Sequence, residues 1–162
     1  MRPVLALALL FPSPVLAAVR TVEADGSGQY STISAAVAAS VDGDEIRVGP
    51  GVWSESIDLG SRSITLTSTD GADATTLSGT GDTTLVSTGG APVVEGFTLT
   101  NAAGRGAVFY AGSPTLASVT IEDAGVSGAA GGGVYLASGT LTITDSTFSG
   151  NQGSYGGAIY AA

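Results

Sequence analysis

The sequence contains no cysteine, no histidine and no lysine. Without cysteine there is no disulfide framework, no thiolate zinc site and no thiol nucleophile. Without histidine there is no Ser-His-Asp or Cys-His triad and no imidazole ligand for a metal. Without lysine there is no Schiff-base chemistry and no Walker-type phosphate loop. Cationic charge is scarce: 5 Lys and Arg face 14 Asp and Glu, for a formal net charge of −9. That sign opposes nucleic-acid binding, which depends on neutralising phosphates. Charged residues are only 12% of the chain while 43% are apolar, which excludes a solvated acidic tail. The 25 glycines, together with abundant Ser, Thr, Ala and Val, point to an all-β chain of short strands and tight turns.

The first segment reads as an address. Met1-Arg2 supplies a positive start, Val4 to Phe11 is an unbroken apolar run, and Pro12-Ser13-Pro14 ends it. Val15-Leu16-Ala17 then places small or apolar residues at the −3 and −1 positions of a leader-cleavage site, so residues 1–17 are expected to be a signal peptide. A membrane anchor and a buried helix are the alternatives, but eight apolar residues are too few for a bilayer, which needs about 20. The expected location is therefore secreted or cell-surface, with residues 18–162 as the folded domain. Export without cysteine leans bacterial.

The body of the chain is a repeat. Arg105-Gly106-Ala107-Val108-Phe109, Gly131-Gly132-Gly133-Val134-Tyr135 and Gly156-Gly157-Ala158-Ile159-Tyr160 superpose. That alignment puts Val108, Val134 and Ile159 on one ladder and Phe109, Tyr135 and Tyr160 on the next. Between them lie Phe97-Thr98-Leu99, Val119-Thr120-Ile121 and Thr147-Phe148, with Leu99, Ile121 and Phe148 equivalent. Strands this short cannot stand alone, and a period near 25 leaves no room for a crossover helix. A chain that returns to the same place every coil can stack each strand about 4.8 Å above its predecessor, in parallel. Apolar residues then form internal ladders and Thr and Ser face outward. The expected fold is a parallel β-helix solenoid of about five coils. An antiparallel sandwich would instead show Asn-Gly or Asp-Gly hairpin joints within the regular repeat, and none occurs there after residue 95. One helix is expected over Ser31 to Val41, with Ser31 or Thr32 as N-cap and Ile33, Ala36, Val37 and Val41 as its apolar stripe, closing the first rung.

Val22 to Ser40 (VEADGSGQYSTISAAVAAS) resembles the opening of pectin methylesterases and other pectin-lyase-like proteins. Gly43 to Ile57 (GDEIRVGPGVWSESI) resembles the next element of that superfamily, with Trp53 where Tyr is usual and Glu55 as the acidic residue. Ser146 to Tyr160 (STFSGNQGSYGGAIY) resembles the repeat of polymorphic outer-membrane proteins, with Phe148-x-x-Asn151 ahead of Gly156-Gly157-Ala158-Ile159. The resemblance implies a right-handed β-helix. It is weak for function, because this fold carries lyases, esterases, hydrolases and adhesins.

The paired Asp, Arg and Gln of a pectin methylesterase site have no counterpart motif: the only glutamines are Gln29 and Gln152, and neither precedes Asp. The best constellation is Arg105, Glu122, Asp123 and Asp145. Glu122-Asp123 directly follows Ile121, and Asn101 holds the equivalent place after Leu99, so Asn101 and Asp123 are expected one above the other. Adjacent carboxylates could hold Ca²⁺ or act as an acid/base pair. The plainer reading is that Asn and Asp at strand ends bond to turn backbone. Asp42-Gly43-Asp44-Glu45 reads as a helix-stop turn. Trp53, Tyr30, Phe109, Tyr110, Tyr135, Tyr155 and Tyr160 could stack on sugars if they face outward, or form an internal stack.

The sequence stops within a repeat, at Ile159-Tyr160-Ala161-Ala162. A C-terminal end left uncapped implies further coils of a longer exported protein, or another chain covering it. The expected function is an exported surface or adhesin-like scaffold, able to bind extracellular or cell-wall polysaccharide, with no complete active site and no cofactor. The alternative is the N-terminal part of a pectin-modifying esterase or lyase whose catalytic coils lie beyond residue 162.

Overall fold

In the computed structural model, residues 16–101, 103–125, 128 and 130–162 are described. The expected leader lies, up to Val15, outside the described residues. The chain forms β1 (Val19–Val22), α1 (Ile33–Ala39), β2 (Glu45–Val48), β3 (Gly51–Trp53), β4 (Ile57–Asp58), β5 (Thr65–Ser68), β6 (Thr75–Ser78), β7 (Thr83–Ser87) and β8 (Val93–Glu95). It continues through β9 (Thr98–Thr100), β10 (Arg105–Phe109), β11 (Thr115–Ala117), β12 (Thr120–Glu122), β13 (Val134–Leu136), β14 (Thr142–Thr144), β15 (Thr147–Ser149) and β16 (Ile159–Ala161).

From β2 onward every third strand joins the same sheet, and β1 precedes β2 in the first. The first sheet runs β1-β2-β5-β8-β11-β14, the second β3-β6-β9-β12-β15 and the third β4-β7-β10-β13-β16. All the pairings are parallel. The chain is thus an all-β parallel solenoid of about six turns: β1 opens the first, and five three-strand coils follow, one more than the sequence alone suggested.

Three internal ladders form the core. Ile46, Leu66, Val94, Leu116 and Ile143 stack in the first sheet. Trp53, Leu77, Leu99, Ile121 and Phe148 stack in the second. Ile57, Leu85, Ala107, Val134 and Ile159 stack in the third. Each fully buried aliphatic side chain contributes about 1.5–3 kcal/mol. Hydroxyls occupy the alternate positions: Thr76, Thr98, Thr120 and Thr147 share one outer ladder of the second sheet. Period-two alternation in strands of three residues is therefore what separates inside from outside.

The repeat alignment is corrected by one residue. Ala107, not Val108, pairs with Val134, and Val108 pairs with Tyr135. Phe109 pairs with Leu136, so it leaves the Tyr135–Tyr160 ladder and is fully buried. Matching apolar letters ignored which side of β10 faces the core, and a one-residue shift exchanges the two faces. Val134 and Ile159 do pair, as expected.

Corners are made by single residues with left-handed backbone. Gly96, Ser118 and Asp145, at φ of 73°, 51° and 50°, turn the chain from the first sheet to the second in successive coils. Asp and Asn tolerate this conformation better than most residues, and glycine best of all.

Helix α1 is shorter than expected. Thr32 is the N-cap, accepting from the Ala35 N–H, and Ser40 is an extended C-cap. Ile33, Ala36 and Val37 are buried, but Val41 lies outside the helix and is 48% exposed. Val41 is drawn away because its N–H donates to Asp44 Oδ2 at 3.0 Å. Glu55, from the following coil, accepts from the Ile33 and Ser34 N–H groups at 2.8 and 3.0 Å. It neutralises otherwise unpartnered donors of the first helical turn.

The N-terminal end of the described solenoid is tied by Asp44. Its carboxylate accepts from Ala18 N at 2.8 Å, from Val41 N, and from Arg20 Nη2 at 2.7 Å. The Ala18 N–H above all, then the Val41 N–H and the Arg20 guanidinium, hold its pKa down at about 2. A carboxyl whose folded pKa lies below its unfolded value stabilises the fold above the ordinary carboxylate range and stops doing so as pH falls through it. The urea midpoint is therefore expected to drop between about pH 5 and pH 2. Asp44→Asn should be less stable at pH 7 and should flatten that acid limb; an unchanged limb would show that Asp44 does not carry it.

Candidate functional site

The outer face of the third sheet carries the most distinctive chemistry. Tyr135 and Tyr160 pair across β13 and β16, one above the other. Their rings stack with centroids 5.6 Å apart and planes 11° apart. The Arg105 guanidinium carbon lies 5.2 Å from the centroid of the Tyr135 ring. Arg105 is held there by its Nε, which donates to the Ala130 carbonyl at 2.8 Å. Ala130 in turn bridges to Tyr155 in parallel, and Gly131 N donates to Tyr155 O at 2.9 Å. Ala130 and Tyr155 thus mark one position in two successive coils at the entrance to the third sheet, and the Arg105 side chain reaches up to it from the coil below. Among the described residues the ion pairs are Arg20–Asp44 and Arg47–Glu45, so Arg105 has no carboxylate partner there.

In the last coil, along the segment that leads into β16, a groove of about 370 Å³ is lined by Asn151, Gln152, Gly153, Ser154 and Gly157. Tyr155, next in the chain, is 70% exposed. The groove's walls are fixed by backbone packing. Asn151 Oδ1 accepts from Ala124 N at 3.0 Å, and its Nδ2 donates to the Ile121 carbonyl at 2.7 Å. That is the structural meaning of the Phe148-x-x-Asn151 motif: Phe148 extends the core ladder and Asn151 satisfies two backbone groups of the coil below. At Gly132 a Cβ would collide with the Gln152 carbonyl, so that approach requires glycine. Amides, hydroxyls, a cation and flat aromatic surfaces are the groups that hold a sugar chain.

The four residues singled out from the sequence are spread over two sheets and two different corners. Arg105 is in the third sheet. Glu122 lies on the second, in register with Thr100 and Ser149. Asp123, at φ 49°, follows β12 at the corner between the second and third sheets. Asp145 turns the other corner, from the first sheet to the second. Asn101 and Asp123 do follow the paired Thr100 and Glu122, so they share a level. Asn101 is spent on backbone, donating to the Gly81 carbonyl and accepting from Ala103 N. Among the described residues, no group of three or more Asp or Glu converges as a metal site would require.

The other aromatic candidates separate by face. Trp53 is core, 6% exposed, with Nε1 donating to the Gly49 carbonyl at 3.1 Å. Phe109 is core as well. Tyr30 is part-buried, its hydroxyl 3.2 Å from Arg20 Nη1. Tyr110 is 53% exposed on the third-sheet side. A second groove, of about 300 Å³, lies on the first sheet and is lined by Glu45, Arg47, Thr67, Ser68 and Thr69. There Arg47 is already engaged: its Nε and Nη2 donate to Glu45 at 2.7 and 3.1 Å.

Comparison with known proteins gives fold-level likeness. A solved pectin methylesterase from carrot is similar at a TM-score of 0.62 and 18% identity, over 86% of this chain and 55% of that one. The chain therefore spans about half the length of that structure. No protein-family model and no curated protein sequence matches it. Among the described residues no helix is long and apolar enough to cross a membrane.

Proposed function

We propose that the chain is an exported β-helix scaffold, adhesin-like, that holds extracellular or cell-wall polysaccharide on the outer face of its third sheet and has no complete active site of its own. The observation that carries this reading is the Arg105–Tyr135–Tyr160 column on the outer face of the third sheet. The ring edges of the stacked pair and the free face of Tyr160 offer apolar surface to a pyranose ring, and an Arg without a carboxylate partner among the described residues suits an acidic sugar. The Phe148-x-x-Asn151 and Gly156-Gly157-Ala158-Ile159 pattern favours kinship with outer-membrane repeat proteins and hence a cell-surface setting. Binding should be measured by calorimetry against polygalacturonate and neutral cell-wall glycans. The double variant Tyr135→Ala/Tyr160→Ala is expected to weaken the best ligand by about tenfold, the worth of one or two aromatic contacts. Unchanged affinity would remove the column from the site.

A second reading is favoured by the fold likeness to pectin methylesterase: the chain would be the N-terminal part of a pectin-modifying esterase or pectate-lyase-type enzyme. Glu122 and Asp123 would then be its acid/base or Ca²⁺-holding candidates, with Arg105 and Asp145 further off. With its catalytic coils beyond residue 162 this second reading also expects no turnover from the chain alone, so turnover of methylated pectin or polygalacturonate, with or without Ca²⁺, is the outcome that overturns the scaffold reading. The scaffold reading expects no turnover; turnover abolished by Glu122→Gln would establish the enzyme.

A further inference from the structure

Ala18 is held from both sides at the point where the leader is expected to end. Its carbonyl accepts from Glu45 N at 2.9 Å, and its N–H donates to Asp44 Oδ1 at 2.8 Å. The other oxygen of Asp44 takes Arg20 Nη2, Arg20 Nε and Val41 N, at 2.7, 3.1 and 3.0 Å. The Asp44 side chain has no exposed surface, whereas Leu16 is 85% exposed. We propose that leader removal at the Ala17–Ala18 bond is a maturation step that completes the fold: it frees the Ala18 α-amine as an ammonium seated on the buried Asp44 carboxylate, closing a part-buried ion cluster of Ala18, Arg20 and Asp44.

This inference rests on the export reading. The step is peptide hydrolysis by a leader peptidase. Water adds across the C–N bond, Ala17 leaves with a carboxylate on the leader, and the Ala18 nitrogen gains a proton and is cationic at neutral pH. Before cleavage Asp44 Oδ1 accepts from a neutral amide. Afterwards it accepts from an ammonium, so a bond that is charge-assisted by the carboxylate alone gains the attraction of a second full charge. The register also selects the bond. Cleavage one residue later would discard the donor, and cleavage earlier would leave a neutral amide on Asp44. The groups facing the amine are Asp44 from the turn before β2, Arg20 from β1, and the Tyr30 hydroxyl bound to Arg20. Asp44 favours the ammonium and Arg20 opposes it. The direct hydrogen bond goes to Asp44, so the cation prevails.

The absence of lysine makes the test clean, because the processed chain has one primary amine. Terminal sequencing of the exported protein should begin at Ala18. Another start, or no export, overturns the inference together with the export reading. With the Ala18 start established, Nα-acetylation restores the neutral amide of the precursor. It is expected to lower Tm by about 2–4 °C. In Asp44→Asn that difference should vanish. If Asp44→Asn does not fold, the acetylation rate decides: the folded amine should react about tenfold more slowly than the urea-unfolded one at the same pH. An Ala18 start with equal Tm values, or with equal acetylation rates, overturns the ion cluster and leaves export standing.

Discussion

Val134→Asp is expected to cost about 4 kcal/mol or more and to abolish cooperative folding near 37 °C. Val134 is fully buried in the third-sheet ladder, between Ala107 below and Ile159 above. A carboxylate there has no cation within the core and no water to replace its hydration. A domain of this size has about 5–15 kcal/mol of stability in total, so the loss is a large share of it. Thr142→Asp, exposed on the outer face of the first sheet, is the matched control. It should change stability by about 1 kcal/mol or less. Ile159→Asp should fall between the two, because Ile159 is already 39% exposed. Urea denaturation of the three variants ranks them; equal losses for Val134→Asp and Thr142→Asp would contradict the assignment of faces.

Phe97→Ala should cost about 3–5 kcal/mol. Phe97 is fully buried just past the Gly96 corner, and its carbonyl accepts from Thr120 N at 2.9 Å. Removing the ring leaves a cavity between coils whose backbone is already hydrogen-bonded above and below, so the walls cannot collapse into it. Tyr110→Ala, at an exposed position, should cost about 0.5 kcal/mol. The urea midpoint with an unchanged slope is the measurement. A loss below about 1 kcal/mol for Phe97→Ala would show a core far more yielding than this packing implies.

Much of this architecture was legible in the residues. Leu99, Ile121 and Phe148 were aligned by spacing, and they do stack. Apolar residues flanked by threonines, at a period too short for a crossover helix, leave few other folds. The register of the third sheet was not legible. Ala107-Val108-Phe109 offers three apolar residues in a row, and only burial of the Phe109 ring decides which side of the strand is the core. Loop lengths hid it further, since Ala107 and Val134 are 27 residues apart while Val134 and Ile159 are 25 apart.

The candidate surface was partly legible. The spacing that pairs Tyr135 with Tyr160 was visible; the face they share required the register. In the sequence Arg105 reads as a charge to set against carboxylates; its anchors are the Ala130 carbonyl and an aromatic ring, and a backbone acceptor leaves no mark in sequence. In the sequence Glu55 is the acidic residue of a pectin-lyase-like element and Asp44 belongs to a helix-stop turn, and neither letter shows its partners. Their work, capping α1 and binding Ala18 and Arg20, depends on partners 21 to 26 residues away, brought adjacent by coiling.

Coil stacking in this register can be tested by cross-linking, because the chain has no native cysteine to interfere. Val108 and Tyr135 are directly paired on the outer face, within the Cα separation a disulfide spans. Oxidation of Val108→Cys/Tyr135→Cys is predicted to give a rapid intramolecular disulfide. Phe109→Cys/Tyr135→Cys, whose side chains lie on opposite faces, should give none. The reverse pattern, or no bond in either, would contradict the parallel coil-on-coil register on which the fold, the tyrosine column and the proposed binding face all depend.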